Sequence, residues 1–508
     1  MACLLGIDNG LTVTKAVVFD ESGQPLSVCR ERVPQSLPRP HHVERDMQGL
    51  WEATARAVRD AIEQSGRGAG EIAAVAATAH GDGLYLIDRD GEPLGPGILS
   101  LDSRAGDTLS AWQRTALPDQ ALMLSGQQPH VSAPSTLLAW IRDHEPARYA
   151  RIGHVLGCKD WLRLCLTGEV GMDRTEASTA FTDVNTQDYS PALLELLGLS
   201  ALQPALPPML HSAAVAGRVT RQAATATGLL EGTPVATGLH DVTASALGIG
   251  AHRADVVGIV AGTYSINEVL STAPVTDPRW FCRSAIRPGQ WNNMAISPAS
   301  ATNYDWFIDT LCSAERDAAA AAGTSLHERL SPEIAEALAR PSTLIYHPYL
   351  YGSPHGAVAS AGFLGLHGWH GRGDMLAAVL EGIAFNHRVH VDALREGFPA
   401  HDIRLTGGIS RNPVIAQLFA DVLGLPVTVS ATEEAAAWGA ALCGGAAVGL
   451  YSDFDADPRR MAELESRYEP DPAGRALREQ RYQLHQQVAR GLMPHWEAIA
   501  QLETSATP

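Results

Sequence analysis

One pattern occurs twice in this chain. Gly6-Ile-x-x-Gly10 follows the apolar Leu4-Leu5 and leads into Thr12-Val-Thr-Lys15-Ala-Val-Val18. It returns as Gly258-Ile-x-x-Gly262, after Val256-Val257 and before Thr263-Tyr-Ser265. Each copy reads as a buried strand, a tight glycine turn and a returning strand. At such a turn backbone N–H groups and a hydroxyl can cup a phosphate. One copy in each half of a 508-residue chain predicts a duplicated α/β architecture, because that length exceeds what one core comfortably serves. The expected division is 1–250 and 251–508, with a nucleotide held in the cleft between two related domains.

Between the copies lies Gly238-Leu-His-Asp241, after the strand-like Thr233-Pro-Val-Ala-Thr237. Asp241 is a lone carboxylate among small and apolar residues, which makes it a candidate general base, although an Asp after such a turn also serves as a helix N-cap. Two further strand ends gather polar groups. Ile72 to Thr78 runs into Ala79-His80-Gly81-Asp82-Gly83, and Gly97 to Leu101 runs into Asp102-Ser-Arg104. Ligand crevices collect their polar groups at strand ends, while Asp102 and Arg104 can equally pair only with each other.

In the second half a strand from Ile403 ends in Thr406-Gly407-Gly408, and Asn412 caps a helix begun by Pro413. Glycines before a helix N-terminus let a flat base or a phosphate approach the backbone, and the missing third glycine rules out a full dinucleotide fingerprint. The small-residue helix Glu433 to Leu442 is expected to pack beneath that turn. Other expectations are one alanine-rich helix from Trp306 to Ala322, a helix opened by Ser331-Pro332, and a long helix from Asp374 to Leu394 whose Gly382 permits close packing. Asp173 to Tyr189 reads as a loop or short hairpin, Tyr346 to Gly356 as an aromatic loop, and Thr504 to Pro508 as a fraying end.

A formal charge of −18 excludes a nucleic-acid partner, since there is no basic surplus to offset phosphates, but leaves room for one nucleotide. No apolar run is long enough to span a bilayer. The seven cysteines lack metal-ligand or redox spacing and read as free thiols in a reducing compartment. With Met1-Ala-Cys-Leu-Leu passing straight into Gly6-Ile-Asp8, the expected location is cytoplasmic.

Taken together, Gly6-Ile-Asp8-x-Gly10-x-Thr12, Asp102-x-Arg104, Gly238-x-x-Asp241, Gly262-Thr263, Leu380-Glu-Gly-Ile-Ala-Phe385, Thr406-Gly-Gly408 and Glu434 to Leu442 resemble the FGGY carbohydrate kinases of the actin-like ATPase superfamily. Gly6 to Lys15, His80-Gly-x-Gly-Leu-Tyr-Leu86 and Ala261-Gly-Thr-x-Ser-Ile-Asn-Glu268 are most similar to the L-xylulose kinase branch. The resemblance implies two ribonuclease-H-like domains and ATP- and Mg²⁺-dependent phosphorylation of a ketopentose or polyol, with a homodimer as the family's precedent. It implies that Asp241 is the base, that Asp8 holds Mg²⁺ through water, and that His80, Asp82, Asp102 and Arg104 bind sugar. Gly10, Thr12, Lys15, Gly262, Thr263, Gly407, Gly408 and Asn412 would bind the nucleotide. Two positions depart from the pattern. Leu11 stands where a hydroxyl residue is usual, so Thr12 must serve, and Asp82 stands where L-xylulose kinase relatives tend to carry Lys. Substrate alternatives are D-xylulose, ribulose and a polyol such as erythritol, and the rival from another class is a non-catalytic nucleotide-dependent sugar sensor.

Overall fold

The computed structural model describes residues 2–354, 358–463 and 465–505; His355 and Gly356 of the aromatic loop, and 506–508 of the tail, lie outside the described residues. The chain forms two compact units. Unit 1 comprises 1–252, 270–293 and 432–460, and unit 2 comprises 253–269, 294–431 and 461–508.

Unit 1 is built on strands β1 (Cys3–Asn9), β2 (Val13–Asp20), β3 (Pro25–Arg32), β4 (Ile72–Ala79), β5 (Val215–Arg218), β6 (Pro234–Ala236) and β7 (Leu239–His240). Their order is β5-β6-β4-β1-β2-β3, with β7 also on β4. β1, β2 and β3 form an antiparallel meander, while β4 runs parallel to β1, β6 and β7. Successive β1 side chains enter different cores. Cys3, Leu5 and Ile7 join Leu50, Val58 and Ala61 of the helix Met47–Gln64, whereas Leu4 joins Val17, Ala76, Ala437 and Trp438. Both faces are covered, which is why β1 reads as an unbroken apolar run rather than an alternation.

The second cover is the helix Ala435–Ala447, which belongs to unit 1 despite following the Gly407 turn closely in sequence. Its small residues set its depth. A β-carbon on Gly439 would fall 2.0 Å from the Ala244 carbonyl oxygen, and one on Gly6 would fall 2.1 Å from that of Ala437. A β-carbon on Gly248 would likewise fall 2.0 Å from Ala435 O, so this helix and the helix Asp241–Gly248 cross backbone to backbone.

Unit 2 repeats the plan with β8 (Val256–Ala261), β9 (Ser265–Ser271), β10 (Trp291–Ser297), β11 (Asp402–Thr406), β12 (Val427–Ser430) and β13 (Glu465–Tyr468). The sheet runs β10-β9-β8-β11-β12-β13 with Phe281–Ser284 as a seventh strand beside β10, and apart from that edge strand the order matches β3-β2-β1-β4-β6-β5. β8 is antiparallel to β9 and parallel to β11, as β1 is to β2 and β4. The duplicated α/β architecture expected from the two glycine turns is present.

Several elements differ from expectation. The Trp306–Ala322 stretch is two helices, Thr302–Leu311 and Ser313–Ala322, parted at Cys312. Pro332 lies inside the helix Leu326–Leu338, which starts earlier because Ser325 and Glu328 form a capping box. The stretch expected as a loop or short hairpin opens with a helical turn, Arg174–Ala177, and then reverses so that Thr182 and Tyr189 form an antiparallel bridge. The long helix spans Arg372–Gly397, and a β-carbon on its Gly382 would fall 2.4 Å from Tyr346 O, the close packing that glycine foreshadowed. Among the described residues no helix is long and apolar enough to cross a membrane.

Candidate active site

Two chain reversals in unit 1 leave neighbouring strand ends. β1 pairs with β4 up to Asn9 and Ala79, so the Gly10–Thr12 turn and the His80–Gly83 turn emerge side by side. β7 adds a third, because His240 pairs with Ala79 and Asp241 follows. Gly238 makes this possible: its φ of +80° and the 2.0 Å approach a β-carbon there would make to Ala77 O both demand glycine.

Asp241 is the first residue of its helix, and His240 is the N-cap. Its Oδ1 accepts the Val242 N–H at 2.7 Å and lies 3.2 Å from His240 Nδ1. About a third of the side chain, 32%, remains open to an incoming group. Burial, with the charges of Asp8 and Asp82, pushes the Asp241 carboxyl up to about 7, against the N–H groups of Val242 and Gly81. A carboxylate poised near neutrality suits proton abstraction.

His240 is fixed from below. Its N–H donates to Thr175 Oγ1 at 2.9 Å, Thr175 Oγ1 donates to Asp173 at 2.7 Å, and Asp173 meets the buried Lys159 ammonium at 2.8 Å. Burial first, then Arg283, lowers the His240 imidazole to about 4, so it is neutral at working pH. Burial and Arg45 lower His80 to about 3. His80 Nε2 meets the Tyr85 hydroxyl at 3.3 Å, while His80 Nδ1 and His240 Nε2 are buried with no protein hydrogen-bond partner.

Asp82 adopts φ +56°, rare for a side-chain-bearing residue, and its Oδ1 lies 3.1 Å from Arg283 Nη2 and 3.5 Å from His130 Nε2. Burial opposes its charge, but Arg283 and His130 outweigh that and hold the carboxyl well below the usual range. Asp102 and Arg104 behave differently. They form a buried pair, Nε to Oδ1 at 2.9 Å and Nη2 to Oδ2 at 2.8 Å, while Arg104 also grips Glu44 at 2.7 Å and Asp102 takes the Val43 N–H. Arg104 Nε and Nη2 and both Asp102 carboxylate oxygens are thus engaged within the protein.

At the first turn, Gly10 N–H donates to Val13 O at 2.9 Å and Thr12 is exposed. Arg45 grips the Gly10 and Leu11 carbonyls, and Gln35 donates to the latter. Lys15 stands 3.5 Å from Asp8 and 3.0 Å from Glu434, which Arg30 also pairs. Burial works against the Lys15 charge, yet Asp8 and Glu434 raise its pKa; burial raises Asp8 despite Lys15. Mg²⁺ is normally held by one or two carboxylates together with phosphate oxygens and water. Asp8 is a hard oxygen donor of that kind, and no group of three or more metal-binding side chains occurs among the described residues.

In unit 2 the Gly262–Tyr264 turn and the Gly407 turn likewise leave adjacent parallel strands, Val260 pairing with Thr406. Gly262 O accepts the Ala301 N–H at 3.0 Å, and Thr263 O accepts the Thr302 hydroxyl. Gly407 has φ +116°, and a β-carbon there would fall 2.2 Å from Ala261 O; above Gly408 the space is open. Asn412 caps the helix Pro413–Leu423 through Val414 N–H at 2.9 Å and meets Ser331. Beneath the first turn His387 links Ser265 at 3.1 Å, Asn267 at 2.8 Å and Ser300 at 3.1 Å.

Sequence reasoning missed Arg283, His130, Glu434 and Arg45. Arg283 is 201 residues from Asp82 and Glu434 is 419 from Lys15, distances at which no local spacing carries a signal.

A duplicated α/β frame with a poised aspartate at a helix start and a glycine turn beside it defines a phosphotransferase type of site. The FGGY carbohydrate-kinase models match residues 3–248, as the N-terminal domain, and 257–448, as the C-terminal domain; the chain belongs to the FGGY family of carbohydrate kinases. It is 33% identical over 494 residues to the L-xylulose/3-keto-L-gulonate kinase of Escherichia coli, covering 96% of this chain and 97% of that one. It is 34% identical to a probable L-xylulose kinase of Pasteurella multocida, over 96% and 98% of the two chains. Among solved structures, xylulose kinase from Rhodospirillum rubrum superposes with a TM-score of 0.83 at 27% identity, over 97% of this chain and all of that one. The protein is an ATP-dependent sugar kinase, transferring phosphate to an alcohol group.

Proposed function

We propose that the acceptor is a ketopentose, L-xylulose first among the candidates, phosphorylated at a terminal hydroxyl with Asp241 as general base. The observation that carries this reading is the Asp241 carboxyl, raised to about 7 yet open to an incoming alcohol. The likeness over nearly the whole chain to an L-xylulose/3-keto-L-gulonate kinase and a probable L-xylulose kinase supports the choice of sugar. Asp241 accepts the hydroxyl proton as the alcohol oxygen bonds to the terminal phosphorus of ATP; the bond to the bridging oxygen breaks, and ADP leaves. Asp8 would hold Mg²⁺ through water, and the ion would supply charge compensation on the phosphates. Gly10, Thr12 and Lys15 in unit 1, and Gly262, Thr263, Gly407, Gly408 and Asn412 in unit 2, are the proposed nucleotide contacts. His80 and Asp82 are the proposed sugar contacts, whereas Asp102 and Arg104 act as the anchor of that wall.

The unpartnered His80 Nδ1 and His240 Nε2 fit a polyhydroxylated ligand, which offers both donors and acceptors. Seven free cysteines, six of them buried, accord with a cytoplasmic enzyme. ADP release measured with L-xylulose, D-xylulose, ribulose and erythritol tests the reading. Sugar-dependent ADP with L-xylulose as best substrate is expected. Preference for another member would reassign the substrate, and binding without ADP release would favour a sensor.

A further inference from the structure

Within unit 1 one cation stands out beside the acceptor carboxylates. Arg283 is 2% exposed; its Nε donates to Gln127 Oε1 at 2.9 Å and its Nη2 to Asp82 at 3.1 Å. Its guanidinium also lies 4.8 Å from the Phe281 ring centroid, and Phe281 stacks on His130 at 5.5 Å. A buried arginine fork is a natural receptor for a carboxylate, which it can grip with two parallel hydrogen bonds. Here the chain itself supplies that carboxylate. Asp82 takes one arm of the fork, Nη2, while Gln127 takes Nε, and the backbone at Asp82 is left-handed.

The surroundings reinforce the effect. The charges of Asp8 and Asp82 both act on Asp241, whose own hydrogen bond comes from the Val242 N–H at 2.7 Å. Three carboxylates thus share one corner of unit 1, and Arg283 is already neutralised. Resting on the kinase reading above, we infer that Asp82 sets the charge of the accepted sugar: by occupying Arg283 it makes this a site for a neutral ketose and turns away sugars that carry their own carboxylate. An incoming acid would have to displace Asp82 from Arg283 and would face like charges at close range.

Removing Asp82 relaxes the preference. Arg283 is then a buried cation without its partner, a state that recruits an anion. L-xylulose and 3-keto-L-gulonate are a matched pair for the test, since the acid equals the ketose with one carboxylate added at the end of its chain. ADP release is measured with each, for the wild type, Asp82→Asn, Asp82→Ala and the double variant Asp82→Ala/Arg283→Met. Asn tolerates the left-handed conformation, so Asp82→Asn removes the charge with little strain. The wild type should favour L-xylulose by about tenfold or more in kcat/KM. Both single variants should raise the acid-to-neutral ratio by about tenfold, and the double variant should return it toward the wild-type value.

A purely structural role would lower both activities together and leave that ratio unmoved. Equal use of both sugars by the wild type, or an unchanged ratio in a folded Asp82→Asn protein, would overturn the inference while leaving the kinase reading intact. ADP release with no sugar at all would overturn both. Should the variants fail to fold, calorimetric binding of both sugars to the wild type decides, with equal affinities counting against the inference.

Discussion

Gly81 has no room for a side chain because His240 stands against it: a β-carbon at position 81 would fall 1.7 Å from His240 Nε2. His240 Nδ1 in turn lies 3.2 Å from Asp241 Oδ1. Glycine here joins the His80–Gly83 turn to the head of the helix Asp241–Gly248. Gly81→Ala must push the His240 ring aside and Asp241 with it, and displacements near 1 Å can cost about 10²-fold in rate. Steady-state kinetics should show kcat reduced by at least tenfold with the KM for ATP little changed. A Gly81→Ala enzyme of native kcat would show that His240 does not position Asp241.

Asp241→Asn removes the proposed base and keeps its shape. The expected loss in kcat is about 10²–10⁴-fold, with nucleotide affinity retained. Equilibrium binding of ATP beside turnover separates the two effects, and native turnover would refute the assignment.

The pH profile follows from the raised Asp241 pKa. The base works only when deprotonated, so protonation below a folded-state value of about 7 switches it off. Activity should therefore rise with pH, and kcat/KM should fall about tenfold per unit on the acid side of neutrality. Asp82 is one of the charges that raise this value. Asp82→Asn should move the acid limb to lower pH. A limb that stays put, or moves upward, would contradict the coupling.

Gly439→Ala tests the backbone crossing. Alanine favours a helix by about 1 kcal/mol over glycine, but the new methyl would lie 2.0 Å from Ala244 O, and overpacking of this kind costs about 1–3 kcal/mol or more. The clash should win. Differential scanning calorimetry should show a Tm several degrees lower, at roughly 2–4 °C per kcal/mol; an unchanged or higher Tm would mean that the helices separate freely.

His387 offers a test in unit 2. Burial lowers it to about 3, so it acts as a neutral hydrogen-bonding hub between Ser265, Asn267 and Ser300. His387→Ala leaves those groups unmatched under the Gly262–Thr263 turn. The KM for ATP should rise severalfold while that for the sugar stays within about twofold, in proportion to one or two lost hydrogen bonds. Equal changes in both constants would argue against a nucleotide-side role.

What the sequence revealed depended on range. The glycine turns and the Asn412 cap follow from neighbouring residues, and both appear as expected. Pro332 misled because proline at a helix start is a common signal, whereas the Ser325–Glu328 capping box a turn earlier is the start in fact. Asp241 was visible as an isolated carboxylate; its elevated pKa was not, since Asp8 and Asp82 reach it through the sheet's pairing. The engagement of Asp82 by Arg283 depends on residues far apart in the chain and needed coordinates.

The helix Ala435–Ala447 carries a consequence for biosynthesis. It roofs Leu4, Gly6 and Ala76, yet the ribosome makes it near the end of the chain, followed in the same core only by Tyr451 and Phe454. The opening strands therefore emerge with one face bare and must wait for some 430 further residues before that face is covered. During this interval the nascent polypeptide exposes β1 and β4 to mispairing and to chaperones, so premature termination before the helix should yield an aggregating fragment rather than a folded half.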